Sequence, residues 1–404
     1  MTGGTTRGSE PGRAGLRGLP RSIWALGLVS MLMDTSSEMI LGLLPVFLVS
    51  VLGASALQLG LIEGIAEATA SLTRVASGAL SDRLRKRKIP TAIGYGLAAA
   101  TKPLFALAPS IGWIFAARFV DRLGKGIRGA PRDALIADIA PAERRGASYG
   151  LRQSLDSFGA VLGPILAMLL MMGSGDSFRL VFWVAAVPAL LSVLVLLAGV
   201  SEPGAHRLGD ASRAPIRVRD LGLLGSGYWS VVAVGCIFTL ARFSEAFLLL
   251  RCAELGVPPS GTPLVLAGMN VAYAASSYPA GRLSDRVPRR HLLALGMGLL
   301  LASHLVMAVA RDVGLAAMGI GLWGLHMGAS QGVLAAAVSD AAPPTLRGTA
   351  FGIFHLATGL CALFASVLAG ALWQHVGPQS AFSVGAGFAA IALALWMLRS
   401  ARRR

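Results

Sequence analysis

Long apolar stretches alternate with short polar breaks along almost the whole chain. A helix needs about 20 residues to cross the hydrocarbon core of a bilayer, and twelve stretches have about that length. Their predicted bounds are 23–51, 57–80, 90–109, 112–138, 146–172, 179–200, 228–251, 262–283, 291–310, 314–339, 348–373 and 380–398. The pattern therefore predicts an all-α integral membrane protein with twelve transmembrane helices.

The longest polar break, Ser201–Asp220, lies between the sixth and the seventh stretch and divides the chain into two similar parts. We expect five regions from this layout. They are an N-terminal tail (1–22), a six-helix bundle (23–200), a linker (201–227), a second six-helix bundle (228–398) and a basic tail (399–404).

The two parts repeat each other in sequence. Residues 78–87 read GALSDRLRKR and residues 281–290 read GRLSDRVPRR, so that Asp82 and Asp285 are 203 residues apart. Asp138 and Asp340 form a second matched pair, 202 residues apart, and each is followed by Pro, Arg and two Gly at the same spacing. The chain is therefore predicted to be two copies of one unit, a common arrangement in membrane transporters.

Composition agrees with a membrane protein, because hydrophobic residues make up 54% and charged residues only 14%, against about 25% charged in soluble proteins. The net charge of +16 comes from Lys and Arg in the polar breaks on one side, as the positive-inside rule requires. We therefore expect a multi-pass protein of the inner (plasma) membrane with both termini cytoplasmic. Nucleic-acid binding is not expected, because no basic face exists outside these breaks. Scattered cysteines and histidines predict no disulfide framework, metal or cofactor.

The repeated stretch resembles the loop motif between helices 2 and 3 of the major facilitator superfamily. The resemblance implies two pseudo-symmetric six-helix bundles and a conformational latch in which Asp82 meets the N-terminus of helix 11, where a carboxylate is favoured. Arg85 and Pro288 occupy the position of the second glycine of that motif. The predicted latch residues are Gly78, Asp82, Arg83, Arg87, Gly281, Asp285, Arg286 and Arg290.

A glycine pattern in the fifth stretch, formed by Gly150, Gly159, Gly163 and Pro164, resembles the helix-packing motif of drug/proton antiporters in the same superfamily. The closing glycine pair of that motif is Ala167-Met168 here. The resemblance implies a permease of the drug/proton antiporter type. The alternative is ordinary close packing of small residues without a role in the direction of transport.

Several ionisable residues are predicted near the middle of the bilayer, since Asp34, Glu67, Asp121 and Asp156 lie about 15–18 Å from a helix end at 1.5 Å per residue. Such groups are costly in a membrane and usually face a cavity or a partner. Some of them are expected to form structural ion pairs with Arg118 or Arg122 instead. The candidate proton-coupling or substrate residues are Asp34, Glu38, Glu67, Arg118, Asp121, Arg122, Asp156, Glu245, Asn270 and His326.

These features predict a secondary active transporter that moves a small organic solute by alternating access, with proton-coupled efflux as the leading interpretation. Proton-coupled uptake of an organic anion or a metal chelate is the alternative. A non-transporting receptor is more remote, and an enzyme is not expected because the chain has no phosphate-loop motif or catalytic triad. The expected partners are the solute, protons and the lipid bilayer, and the expected state is a monomer.

Overall fold

The computed structural model describes residues 18–84, 86–141, 144–202, 223–284, 287–343 and 346–401. Within these ranges the protein is built from α-helices. The six helices of the first half are α1 Arg21–Leu41, α2 Ala56–Leu84, α3 Lys88–Leu107, α4 Ile111–Ile139, α5 Arg145–Ser174 and α6 Phe178–Gly199. The second half contains α7 in two segments, Ser226–Leu240 and Ala246–Glu254, then α8 Thr262–Ser284, α9 Arg289–Val309, α10 Val313–Ala341, α11 Arg347–His375 and α12 Pro378–Ala401.

Each predicted span corresponds to one of these helices, so the predicted fold class is confirmed. Two spans are less regular than expected. The first continues beyond α1 through a short helix, Leu44–Val46, and a π-helical turn, Phe47–Val51. The seventh is interrupted between Leu240 and Ala246, which leaves five residues outside the two helical segments in the middle of the span.

The two halves repeat the same helix contacts, which gives two pseudo-symmetric six-helix bundles. In the first half α1 packs against α5 and α6, α4 packs against α2 and α3, and α3 packs against α6. In the second half the matching contacts are α7 with α11 and α12, α10 with α8 and α9, and α9 with α12. Between the halves, α2 packs against α11 and α5 packs against α8.

The halves approach each other most closely where glycines face the partner bundle. A Cβ atom on Gly60 of α2 would lie 2.3 Å from the Ser366 carbonyl oxygen of α11, and one on Gly370 would lie 2.5 Å from the Ala56 carbonyl oxygen. The Thr262 hydroxyl at the start of α8 donates a hydrogen bond to the Gly42 carbonyl, at 3.2 Å. All these contacts lie towards the ends of the helices farthest from the chain termini, which we call the distal end; the opposite end is the terminal end.

At the terminal end, arginines of the repeated loops bind a carboxylate within their own half. The Arg87 Nε donates to Asp138 at 3.4 Å and its Nη1 donates to the Ser81 hydroxyl at 2.9 Å. In the second half Arg289 pairs with Asp340. Arg290, the sequence equivalent of Arg87, instead offers its carbonyl to Trp396 at 2.9 Å.

The remaining latch residues lie at the same end. Gly78 is close to α4, since a Cβ atom there would be 3.3 Å from the Ala130 Cβ. Gly281 lies in the last turns of α8. Asp285 and Arg286 lie outside the described residues, as do the side chains of Asp82 and Arg83, and the latch therefore stays a prediction. Much of the predicted tails and linker, at 1–17, 203–222 and 402–404, also lies outside them.

Candidate functional site

A cavity of about 590 Å³ lies between the two halves. This volume is within the range of small-molecule binding sites in proteins, about 300–1,000 Å³. Helices α1, α2 and α4 supply its wall in the first half, and α7, α8, α10 and α11 supply its wall in the second half. The cavity is therefore placed where the two bundles meet.

The wall from the first half is strongly charged because two helices turn one polar face towards the cavity. On α4, Arg118, Arg122 and Lys125 are spaced by four and three residues, and such residues lie on one face of a helix. On α2, Glu63 and Glu67 are also one turn apart. The charged groups of this wall are Glu38, Glu63, Glu67, Arg74, Arg118, Arg122 and Lys125.

The strongest ion pair in this wall joins Arg118 to Glu63 through two hydrogen bonds, from Nε at 3.0 Å and from Nη2 at 2.7 Å. The Ser244 hydroxyl of α7 lies 3.4 Å from the same carboxylate and so links it to the other half. Behind the wall, Lys102 of α3 donates to Asp121 at 2.9 Å, and Arg118 lies 3.7 Å from the other Asp121 oxygen. A chain of paired charges therefore crosses the first bundle from α3 to the cavity.

The wall from the second half is mainly apolar and aromatic. Trp323, Phe351 and Phe354 face the cavity from α10 and α11. Two charged residues, Arg242 and Glu245, enter it from the interruption of α7. The cavity thus has a charged side and an apolar side.

Several cavity charges remain free of direct partners. No hydrogen bond or ion pair joins the carboxylates of Glu38, Glu67 or Glu245 to any other residue that the structure describes. The Arg122 side chain is 93% buried, with 7% of its surface exposed, and its Nε has no hydrogen-bond partner in the described part of the chain. Lys125 has none within the described ranges either. These groups are available to a solute.

A second cluster of charges lies inside the first bundle, where α1 and α5 are in contact. The carboxyl groups of Asp34 and Asp156 lie close together, and Arg152 binds Asp156 at 2.7 Å. Two carboxyl groups can share a hydrogen bond only when one of them holds a proton. Asp34, Asp156 and Arg152 thus form a half-buried cluster of two carboxyl groups and one guanidinium group.

The glycines of α5 explain why these two helices come so close. A Cβ atom would lie 2.4 Å from the Met31 carbonyl oxygen at Gly159 and 2.5 Å from the Thr35 carbonyl oxygen at Gly163. Pro164 lies inside α5, one residue after Gly163. A Cβ atom on Gly150 would meet nothing within 4 Å. Within the predicted glycine motif, Gly159 and Gly163 therefore make the close contact between α5 and α1.

The remaining candidates do not line the cavity. Asp121 faces Lys102 behind the wall. The Asn270 Nδ2 donates to the Ala160 carbonyl at 3.0 Å and so joins α8 to α5. His326 is fully buried against Phe238 and Trp323.

Six charged residues of the cavity wall and these networks were absent from the predicted set: Glu63, Arg74, Lys102, Lys125, Arg152 and Arg242. Lys102 had a usable signal, because it is a single lysine in an otherwise apolar span. Glu63 also had one, because it lies one turn before Glu67 on the same helix face. There was less reason in the sequence to expect Arg242 in the cavity. Its side chain enters the cavity because α7 is interrupted there, and no proline or glycine marks that interruption in the sequence.

Comparison with known proteins agrees with this architecture. The family model of the Major Facilitator Superfamily matches residues 26–251 and again residues 252–404. The chain belongs to this superfamily. It is 32% identical to an uncharacterized MFS-type transporter of Methanocaldococcus jannaschii over 385 residues, covering 93% of this chain and 94% of that protein.

Solved structures of other transporters share the fold at low sequence identity. A POT family transporter in complex with a thioalcohol-conjugated peptide superimposes with a TM-score of 0.80 at 13% identity, covering 96% of this chain and 98% of that one. A mutant form of the nucleoside transporter NupG gives a TM-score of 0.78 at 12% identity, covering 93% of this chain and 99% of that one. The family match, together with this fold, makes the protein a multi-pass membrane transporter of the superfamily.

Proposed function

We propose that this transporter exports a small organic solute in exchange for protons by alternating access. The observation that supports proton coupling best is the half-buried pair of carboxyl groups of Asp34 and Asp156, which can share one proton. Helix α1 carries both Asp34 and, one turn later, the cavity residue Glu38. A proton that leaves Asp34 therefore changes the charge on the same helix that lines the solute cavity.

The coupling follows from electrostatics. When Asp34 loses its proton, two carboxylates face each other in a medium of low dielectric constant, and their repulsion opposes the α1–α5 contact. A ligand or proton shifts a conformational equilibrium only if it interacts differently with the two states. The carboxyl pair supplies such a difference, because it favours one α1–α5 arrangement when protonated and another when ionised.

The membrane orientation is also part of the proposal. The terminal end carries the basic loops, so the positive-inside rule favours an inner-membrane protein with both termini in the cytoplasm. The close contacts between the halves lie at the distal end. We infer that the structure is the state closed to the outside, with access from the cytoplasm.

The decisive experiment uses purified protein in liposomes with an imposed pH gradient and a panel of radiolabelled solutes of different charge. Export in exchange for protons predicts solute movement against its gradient when protons flow in the opposite direction. Absence of pH-gradient-driven flux for every solute in the panel would overturn the proposed coupling.

The first prediction concerns the Asp34→Asn variant. An asparagine amide still donates to Asp156 but cannot release a proton, so we expect less than about a tenth of the pH-gradient-driven flux while solute exchange without a gradient persists. Asp176→Asn is the matched control. It changes a carboxylate in the distal loop at a positive φ of 63°, which asparagine tolerates, and flux should be normal. Normal gradient-driven flux in Asp34→Asn would remove this residue from the mechanism.

Uptake of an organic anion together with protons is a second candidate function. It is favoured by the cavity charges, where five basic groups (Arg74, Arg118, Arg122, Lys125 and Arg242) face four carboxylates (Glu38, Glu63, Glu67 and Glu245). The liposome experiment separates the two functions by direction. Accumulation driven by protons moving with the solute would select uptake.

A further inference from the structure

The two walls of the cavity differ in chemistry, and each points to one part of a ligand. One wall carries the charged faces of α2 and α4, and the other carries aromatic side chains of α10 and α11. A molecule that satisfies both walls needs a charged group at one end and an apolar body at the other. The remaining question is the sign of the charge.

Arg118 binds Glu63 through two hydrogen bonds, so the charges of these two residues cancel each other within the wall. The groups left on the first-half wall are then three cations, Arg74, Arg122 and Lys125, and two carboxylates, Glu38 and Glu67. On the second-half wall Arg242 and Glu245 balance each other. The cavity therefore has an excess of one positive charge.

Arg122 is the group best placed to receive an anion. Its side chain is 93% buried, it lines the cavity, and its Nε is a buried donor without a partner in the described part of the chain. Lys125 lies one turn further on the same face of α4 and has no partner within the described ranges. A buried donor without an acceptor is costly, and a carboxylate is among the acceptors that a guanidinium binds most strongly, often through two hydrogen bonds.

The opposite wall suits an aromatic or branched apolar body. Trp323 of α10 and Phe354 of α11 are buried with 1% and 6% of their surface exposed, and both contribute to the cavity lining. Aromatic rings favour other rings in tilted or edge-on arrangements. The separation of charged and apolar walls would also disfavour a small inorganic anion, because it would leave the aromatic wall uncovered.

We propose that the substrate is an amphipathic organic anion, whose carboxylate is bound by Arg122 and Lys125 and whose apolar body lies against Trp323 and Phe354. This inference rests on the proposed transport function and adds the substrate class to it. It holds for either direction of transport. Arg122 is assigned as the residue that determines selectivity for charge.

The test uses purified wild-type protein in detergent and three probe series built on the same rings. The carboxylates are benzoate, 3-phenylpropionate and 2-naphthoate, and each is compared with the alcohol and the amine of matching skeleton. Binding is measured by the shift in melting temperature and by quenching of tryptophan fluorescence. Propionate serves as an anion without a ring.

We expect at least one aromatic carboxylate to bind about tenfold or more tightly than its alcohol and amine, since hydrogen bonds between charged groups are stronger than those between neutral ones. Propionate should bind more weakly than the ring compounds. In Arg122→Gln the preference for carboxylate over alcohol should fall below about threefold, while affinity for the alcohol is retained, because only the charge-dependent contact is lost.

Arg128→Gln is the matched control. Arg128 lies on the same helix, is also buried at 5% exposure, and stacks on Tyr95 at 4.6 Å instead of lining the cavity. The carboxylate preference should survive in this variant. If Arg122→Gln does not fold, Lys125→Gln tests the same wall, with the same expected loss of preference.

Three outcomes would overturn the inference: equal or tighter binding of alcohols or amines, no binding by any carboxylate of the panel, or an unchanged carboxylate preference in a folded Arg122→Gln protein. Failure of the transport proposal would look different, because it would abolish pH-gradient-driven flux for all solutes. Gradient-driven flux of cations or neutral solutes only would reject the substrate class and leave coupling intact.

Discussion

At the residue scale, the charges of the first bundle divide into groups that bind each other and groups that remain available. Glu63, Arg118, Asp121 and Lys102 are bound to each other and position the polar wall. Removing one partner of a buried ion pair leaves an unpaired charge and costs about 3–5 kcal/mol, whereas replacing both partners by apolar groups costs much less. These four residues are therefore expected to affect stability more directly than coupling.

This division gives a prediction for the Arg118–Glu63 pair. Glu63→Met alone should lower the melting temperature in detergent markedly, because it leaves Arg118 buried without its carboxylate. The double variant Glu63→Met/Arg118→Met should recover a large part of the loss. A double variant that is less stable than the sum of the two single variants would contradict this account.

The sequence allowed the depth of each charged residue to be estimated, but not the direction in which its side chain points. Asp34 and Asp121 are at similar depths by counting residues along their helices, and both were predicted as candidates. The structure places Asp34 against Asp156 and Asp121 against Lys102. Asp156 belongs to a helix far from that of Asp34 in sequence, whereas Lys102 belongs to the helix just before that of Asp121. Helix periodicity alone does not indicate which of these helices become neighbours.

At the element scale, helix existence and order could be predicted from hydrophobicity because each span must satisfy its backbone hydrogen bonds internally. The interruption of α7 could not be predicted from the sequence, because residues 241–245 include no proline or glycine. Its polar backbone groups are bound by tertiary contacts instead. The Ser366 hydroxyl accepts from the Ser244 amide at 3.1 Å, and the His304 Nε2 lies 2.7 Å from the Ala241 carbonyl oxygen.

The glycines of α5 provide the prediction at this scale. Gly163→Val would place a side chain 2.5 Å from the Thr35 carbonyl oxygen and force α5 away from α1. We expect a lower melting temperature and loss of most gradient-driven flux, since Asp34 and Asp156 would separate. Gly150→Val has open space around its Cβ and should keep both properties, apart from a small loss of about 0.5–1 kcal/mol or less from β-branching in a helix.

Similar loss of flux in the Gly150→Val protein would mean that the whole glycine pattern matters and not only the contact with α1. Melting curves and proton-driven flux on both variants, at equal amounts of protein per liposome, distinguish the two interpretations.

At the scale of the whole molecule, the contacts that close the distal end are made by small residues on α2 and α11. Such backbone-to-backbone packing is favourable in one arrangement of the halves and is lost when they separate. The halves therefore have a built-in preference for the closed distal end. The proposed transport by alternating access needs this preference to be small, so that binding of a ligand can reverse it.

Gly60→Leu tests the preference directly. A Cβ atom at this position lies 2.3 Å from the Ser366 carbonyl oxygen, so the helices must move apart by about 1 Å or more to reach normal contact distance. We expect spin labels at Val51 and Val376, which are 51% and 73% exposed, to show a larger population at long distance. Gly96→Leu, with open space around its Cβ, is the control and should leave the distribution unchanged.

The chain of paired charges through α2, α3 and α4 has a further consequence for how the protein is made. Seven helical stretches in the described ranges are apolar and long enough to enter a bilayer by their own composition, and α4 is not one of them. Each Arg, Lys or Asp at a helix centre opposes insertion by about 2.5–3.5 kcal/mol. We therefore expect helix α4 to leave the translocon together with α2 and α3, which carry its partners Glu63 and Lys102.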